Sequence, residues 1–62
     1  MPIINLKGPK LDKSQKKELI QKFTDVASEV TNIPEQAFVV LLEEMDQDNV
    51  GTGGEMLSEK QK

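Results

Sequence analysis

The sequence predicts a single α+β domain, residues 1–62, that is built on a βαβ unit and ends in a C-terminal hairpin. Three observations predict this class. A short apolar segment begins the chain, a stretch with the apolar spacing of an amphipathic helix follows, and a continuous apolar run comes next. A strand, a helix and a second strand in this order are typical of two parallel strands joined by one right-handed crossover helix.

The first strand is predicted at residues 2–7, Pro-Ile-Ile-Asn-Leu-Lys, because this apolar segment ends at the turn signal Gly8-Pro9. The helix is predicted at residues 13–31, with Asp12 as its N-cap. It should end before Pro34, which disfavours helical backbone at the preceding residue. Six apolar residues share one stripe of this helix: Leu19, Ile20, Phe23, Val26, Ala27 and Val30.

The second strand is predicted at residues 37–42, Ala-Phe-Val-Val-Leu-Leu. This run shows no alternation, as in a strand that is covered on both faces. Residues 43–49 are polar and predict a turn, and the glycines within residues 51–54 predict a tight hairpin or a bulge. Residues 58–62 are polar and are expected to be frayed. Because one βαβ unit covers only one face of its sheet, the chain is expected to form an oligomer, as small scaffolds without disulfides often do.

Absent residue types exclude several classes of site. The chain has no cysteine and no histidine, which excludes thiol nucleophiles, Ser-His triads, imidazole bases and ordinary zinc sites. It also has no arginine, and its net charge is −3, so nucleic-acid binding is not expected. No apolar run reaches the length of a membrane span, and no signal peptide is recognised. A cytoplasmic protein without membrane attachment is therefore predicted.

Short motifs in the second half of the chain predict no ligand. A calcium loop that starts at Asp46 would place Val50 and Leu57 where oxygen ligands are required, so no metal site is predicted. The glycine segment lacks the Gly-Lys-Ser/Thr ending of a phosphate-binding loop, which leaves a structural hairpin.

Lysines cluster in the first part of the chain, at 7, 10, 13, 16, 17 and 22. A solvated helix start and an anion-binding site are both open interpretations of this cluster.

Pro2 is the candidate catalytic residue. Removal of Met1, which is usual before a small second residue, exposes a secondary amine at the start of the first strand. An apolar pocket or a nearby cation lowers the pKa of such an amine, and the neutral form acts as a general base. An inert processed N-terminus is the alternative that the dipeptide leaves open. If Met1 is retained, Pro2 is a tertiary amide and is no base.

Nearly the whole chain resembles the 4-oxalocrotonate tautomerase family. The resemblance lies in the Met-Pro start, the Gln15-Lys16 pair in the helix, Glu44-Met45 at the end of the second strand, and the Gly-x-Gly-Gly-Glu segment at residues 51–55. It implies a β-α-β subunit that assembles as a homo-oligomer, usually a hexamer. It also implies a cofactor-free isomerase in which Pro2 moves a proton between the oxygen and the carbon of a small enol or dienol acid.

The chain departs from this family at its substrate-binding positions. Members typically use one arginine after the first turn and another in the second strand, and this chain has none. A one-residue gap places the first position at Lys10 or Leu11, so Lys10 is the candidate carboxylate anchor, although lysine lacks the bidentate fork of arginine. Val39 stands at the second position. Val50 replaces an aromatic residue, and both valines are candidates for the apolar wall of the substrate pocket.

Two other classes of function stay open. The first is a non-catalytic oligomeric or partner-binding relative that has lost the arginines and with them the activity. The second is an acidic regulator that binds a protein partner along an exposed sheet edge. The physiological substrate and the subunit number do not follow from the sequence.

Overall fold

A computed structural model describes residues 1–60 of the chain. Its regular elements are, in order, β1 (Ile3–Gly8), α1 (Lys13–Thr31), β2 (Val39–Glu44), β3 (Gly51–Thr52), β4 (Glu55–Met56) and α2 (Leu57–Lys60), with 3-10 turns at Glu35–Ala37 and Gln47–Asn49. β1 and β2 form a parallel sheet, and β3 and β4 form an antiparallel one. The predicted βαβ unit and C-terminal hairpin are therefore confirmed.

The parallel ladder fixes the start of β1 against the start of β2. Its register runs from Ile3 beside Val39 to Gly8 beside Glu44. One further hydrogen bond closes each end. The Val39 N–H donates to the Pro2 carbonyl oxygen at 3.0 Å, and the Met45 N–H donates to the Gly8 carbonyl oxygen at 2.7 Å.

Helix α1 has the predicted bounds, and local signals explain both ends. The Asp12 side chain accepts a hydrogen bond from the Gln15 N–H at 2.8 Å, and the Gln15 side chain accepts one from the Asp12 N–H at 3.2 Å. This reciprocal capping box satisfies two backbone donors that the helix leaves free. At the other end Asn32 adopts the left-handed region, with φ 60, and its N–H donates to the Ser28 carbonyl oxygen at 2.9 Å.

The second strand begins two residues later than predicted. Residue 37 belongs to a 3-10 turn, in which the Ala37 N–H donates to the Pro34 carbonyl oxygen at 3.0 Å and the Phe38 N–H donates to the Glu35 carbonyl oxygen at 3.1 Å. Ala37 and Phe38 belong to the apolar run, but a strand also needs a neighbouring strand to form hydrogen bonds with. The ladder starts only where Val39 meets β1.

β2 also ends two residues later than predicted, because Glu43 and Glu44 are opposite Lys7 and Gly8 in the ladder and were expected in a turn. Residues 58–60, which were expected to be frayed, lie in α2 (Leu57–Lys60). There the Lys60 Nζ donates to Thr52 Oγ1 at 3.0 Å. The remaining residues of that prediction, 61 and 62, lie outside the described part of the chain.

The predicted tight turn of the hairpin is confirmed. Thr52 pairs with Glu55 across it, and the two residues between them, Gly53 and Gly54, have φ 60 and φ 83. Positive φ at both central residues is the requirement of a type I′ turn, which glycine meets without strain.

The isolated subunit has no buried core. Within residues 1–60 no residue is fully buried, and the accessible surface is 4997 Å² against about 4,000 Å² for a compact protein of this mass. The radius of gyration is 14.9 Å, whereas a compact chain of 62 residues has about 11 Å. The fold therefore leaves surface that a compact domain would bury.

The uncovered surface includes the sheet face opposite α1. Ile4, Leu6, Val40 and Leu42 are half-buried, whereas Ile3 is 58% exposed and Leu41 is 45% exposed. A parallel sheet is normally covered on both faces. Neither described helix has the length and apolar character that are needed to cross a membrane.

Candidate active site

Pro2 and Val39, two of the predicted site residues, lie together at one end of the parallel sheet. Pro2 is half-buried and precedes β1, and its carbonyl oxygen is held by the Val39 N–H. Met1 is 85% exposed. The backbone of Pro2 is thus anchored through its carbonyl group, while its nitrogen lies at the free end of the strand.

Among residues 1–60, this end of the subunit contains acidic side chains, and the elements that form it contribute no lysine beyond Lys22. The chain has no lysine between Lys22 and Lys60, and this interval includes the end of α1, the 3-10 turn and the start of β2. Asp25 and Glu35 lie close together there. A hydrogen bond with Asp25 and the repulsion of its charge raise the pKa of Glu35. An anionic substrate beside Pro2 therefore needs a cation from elsewhere.

Val50, the third predicted residue, lines a cavity of about 490 Å³ at the opposite end of the sheet. Five strand steps separate Ile3 from Gly8, which is about 17 Å. The cavity is lined by Lys7, Gly8, Pro9, Met45, Gln47, Val50 and Leu57. The Leu57 N–H donates to the Val50 carbonyl oxygen at 2.7 Å, which folds α2 back over this end. Within one subunit Val50 and Pro2 do not share a site.

Lys10, the fourth predicted residue, lines an adjoining cavity of about 280 Å³ together with Asp46 and Ser58. The two cavities have Pro9, Met45 and Gln47 in common. The structure therefore brings Pro2 beside Val39, and it places Lys10 and Val50 at the other end on neighbouring cavities. Lys7 was not singled out as a site residue in the sequence, and it lines the same cavity as Val50. The only signal for it was that Lys7 is the last charged residue before Gly8-Pro9, and it was grouped there with the other lysines of the first part of the chain.

Glu44 ties the end of β2 to the loop that contains Lys10. Its Oε2 accepts a hydrogen bond from the Leu11 N–H at 2.9 Å, and its Oε1 lies 3.0 Å from Lys16 Nζ. The hydrogen bond from Leu11, followed by the one from Lys16, lowers the pKa of Glu44 below its ordinary value of 4.5. The negative charge of Glu44 thus fixes where the helix begins relative to the sheet.

Replacing Glu44 with glutamine is expected to make the Tm of the protein change less as the pH is lowered. Because the folded-state pKa of Glu44 is lowered, its contribution is present above pH 4.5 and is lost as the pH falls through the folded value. The variant should have a lower Tm than the wild type at pH 6, and the difference between the two Tm values should shrink as the pH falls below 4.5.

Glu35→Gln provides a control of opposite sign. The pKa of Glu35 is raised, so its ionised form destabilises the folded state and protonation relieves this. This variant should have a higher Tm than the wild type at pH 6. Melting curves for Glu44→Gln that stay parallel to those of the wild type from pH 6 to pH 3 would contradict the assigned role of Glu44.

Comparison with known proteins shows that the chain is similar to tautomerases. A family model described as tautomerase enzyme matches residues 2–60. A Bacillus cereus protein named "Probable tautomerase" is 46% identical over 46 residues, which cover 74% of this chain and 75% of the relative. A Campylobacter jejuni protein, also named a probable tautomerase, is 40% identical over 57 residues, which cover 89% of this chain and 84% of the relative.

A solved structure shows the same fold. YwhB, a homologue of 4-oxalocrotonate tautomerase, superimposes with a TM-score of 0.86 and 33% identity. The alignment covers 92% of this chain and 95% of the YwhB chain. The similarity thus includes the parallel strands β1 and β2 and the crossover helix α1.

Proposed function

Because the chain belongs to the tautomerase family, we propose that it is an isomerase that interconverts the enol or dienol and keto forms of a small 2-hydroxy or 2-oxo acid. Pro2 is the general base once Met1 has been removed. The observation that carries this proposal is the family match, which begins at Pro2 and continues to residue 60. The anchored backbone of Pro2, whose carbonyl is bonded to Val39, supports it.

The proposed reaction is a proton transfer without net oxidation. The neutral amine of Pro2 accepts the proton of the 2-hydroxyl group, so the O–H bond breaks and the oxygen becomes a carbonyl. The electrons of the enol move along the conjugated carbons. The resulting ammonium returns the proton to the distal carbon, where a C–H bond forms. Positioning of the substrate and a dry site carry the catalysis, and no cofactor is assigned.

We propose that a complete site needs a second copy of the chain. Within residues 1–60, Pro2 lies at the end to which no lysine beyond Lys22 contributes. The cavity that contains Val50 lies at the other end of β1, where Gly8 is about 17 Å from Ile3 along the strand. A neighbouring subunit that brings its cavity to Pro2 joins the two halves. The exposed sheet face and the absence of a buried core within residues 1–60 support a homo-oligomer, and a hexamer is the proposed subunit number. The cytoplasmic location stays a prediction.

A second candidate function is a non-catalytic oligomeric or partner-binding relative. One observation favours it, because the residue beside Pro2 is Val39 and the chain contains no arginine. Such a protein would keep the assembly and lose the proton transfer.

The experiment that tests the proposal follows ketonisation of 2-hydroxydienoates by ultraviolet absorbance. It uses 2-hydroxymuconate and 2-hydroxy-2,4-pentadienoate, and intact mass confirms the loss of Met1. The matched control is the same chain with an uncleaved N-terminal extension, which turns Pro2 into a tertiary amide. Activity that is present only in the processed protein supports the proposal. Equal rates in both proteins would overturn the proline mechanism, and no ketonisation of either substrate would favour the non-catalytic candidate.

A further inference from the structure

The cavity that contains Val50 combines an apolar wall with one charge. Lys7 is the charged residue among those that line it, and Gln47 adds an amide. The other lining side chains are Pro9, Met45, Val50 and Leu57, with Gly8 at the turn. A volume of about 490 Å³ lies in the range of small-ligand pockets, which are mostly apolar and contain few polar groups.

We infer that Lys7, and not Lys10, binds the carboxylate of the substrate, and that the cavity selects a monocarboxylate with an apolar chain over a dicarboxylate. This inference rests on the proposed function and names the substrate class of its site. The Lys7 ammonium pairs with the carboxylate, and the carbon chain lies along Val50, Met45 and Leu57. A second carboxylate on that wall would lose its hydration without gaining a partner, which is unfavourable.

Lys7 is available for a ligand because its present partner holds it weakly. Its Nζ lies 4.0 Å from Glu43 Oε2, and the two side chains are 67% and 49% exposed. Exposed pairs of this kind contribute little to stability. Glu43 has a second partner, since its Oε1 accepts a hydrogen bond from Asn5 Nδ2 at 3.4 Å. A substrate carboxylate can therefore replace Glu43 at Lys7.

Lys10 is less suited to this role. It lies with Asp46 on the adjoining cavity of about 280 Å³, which shares Pro9, Met45 and Gln47 with the first cavity but does not include the apolar side chains of Val50 and Leu57. Its positive charge also contributes to the lowered pKa of Glu44. Lys10 thus lies near two carboxylates of its own chain, those of Asp46 and Glu44. Lys7 lines a cavity with apolar side chains and has one weakly held carboxylate partner, Glu43.

The test measures binding of two unreactive acids by isothermal titration, so it does not depend on turnover. The probes are 2,4-hexadienoate, a monocarboxylate with an apolar end, and 2,4-hexadienedioate, its dicarboxylate counterpart. The variants are Lys7→Met and Lys10→Met, and Lys13→Met removes the same charge from the exposed first turn of α1. Native mass must match the wild type in each variant.

The wild type should bind the monocarboxylate more tightly than the dicarboxylate, and Lys7→Met should weaken that binding about tenfold, as expected for a lost charge-assisted contact. Lys13→Met should leave it within about twofold, and Glu43→Gln, which removes the competing carboxylate, should strengthen it. The assignment would be overturned if Lys10→Met weakened binding of the monocarboxylate and Lys7→Met left it unchanged. Tighter binding of the dicarboxylate by the wild type, or no binding of either probe, would also overturn it.

Turnover separates this inference from the proposed function. If ketonisation occurs, Lys7→Met should raise KM and change kcat little. If ketonisation is absent but Lys7→Met still weakens binding of the monocarboxylate, the proposed isomerase fails and the carboxylate site stands.

Discussion

Replacing Pro2 with alanine is expected to lower kcat/KM for ketonisation by about 10²-fold, the lower end of the usual contribution of a general base, because the variant keeps an amine in a less favourable geometry. Alanine leaves a primary amine on a flexible residue, whereas proline holds its nitrogen in a ring. The carbonyl hydrogen bond of residue 2 to Val39 involves only the backbone, so the fold should persist. The expected result is a lower kcat with little change in KM, measured by ultraviolet absorbance.

Two measurements control this comparison. Intact mass shows that Met1 is removed from both proteins, and native mass with circular dichroism shows that both have the same assembly and fold. An activity of Pro2→Ala within about twofold of the wild type would contradict the proline mechanism, because such a difference is far smaller than a general base contributes.

The second large effect is expected for Leu41→Lys on the uncovered sheet face. Leu41 is 45% exposed in the subunit and lies in the middle of β2. Burial of the part of Leu41 that the subunit leaves exposed stabilises an assembly by about 1 kcal/mol, and a buried unpaired ammonium is strongly unfavourable. Because the subunit buries no residue between 1 and 60, dissociation should also unfold it. Native mass should show loss of the oligomer, and the helical circular dichroism signal should fall.

Gln21→Lys is the matched control, because it adds the same charge at an exposed position on the polar side of α1. It should keep the native mass and Tm of the wild type. A Leu41→Lys protein with the wild-type mass and Tm would show that this face is solvent-exposed in the functional protein.

The helix was predictable because its determinants are local. Asp12, Asn32 and the 3.6-residue spacing all lie within or next to α1, and they act over three or four residues. The bounds of β2 were wrong by two residues at each end because they depend on β1, which is distant in the sequence. Apolar composition shows that a strand is present, whereas pairing partners determine where it begins and ends.

The candidate site was predictable only in part for the same reason. Strand pairing brings Val39 beside Pro2, as two parallel strands with similar starting points would. The role of Lys7 depends on residues 47–57, whose chain returns over the end of the sheet to form the cavity. No residue spacing in the sequence predicts that this segment passes over the end of the sheet, so Lys7 could not be distinguished from a solvated lysine.

The exposed Met1 has a consequence for the biogenesis of the protein. An aminopeptidase must reach Met1, which is 85% exposed on the single subunit. In the proposed oligomer the cavity of a neighbour encloses this N-terminus. On this proposal we expect maturation to precede assembly, with the aminopeptidase acting on the nascent chain or the free subunit. Slow processing during overexpression would trap inactive oligomers that later exposure to the aminopeptidase does not rescue.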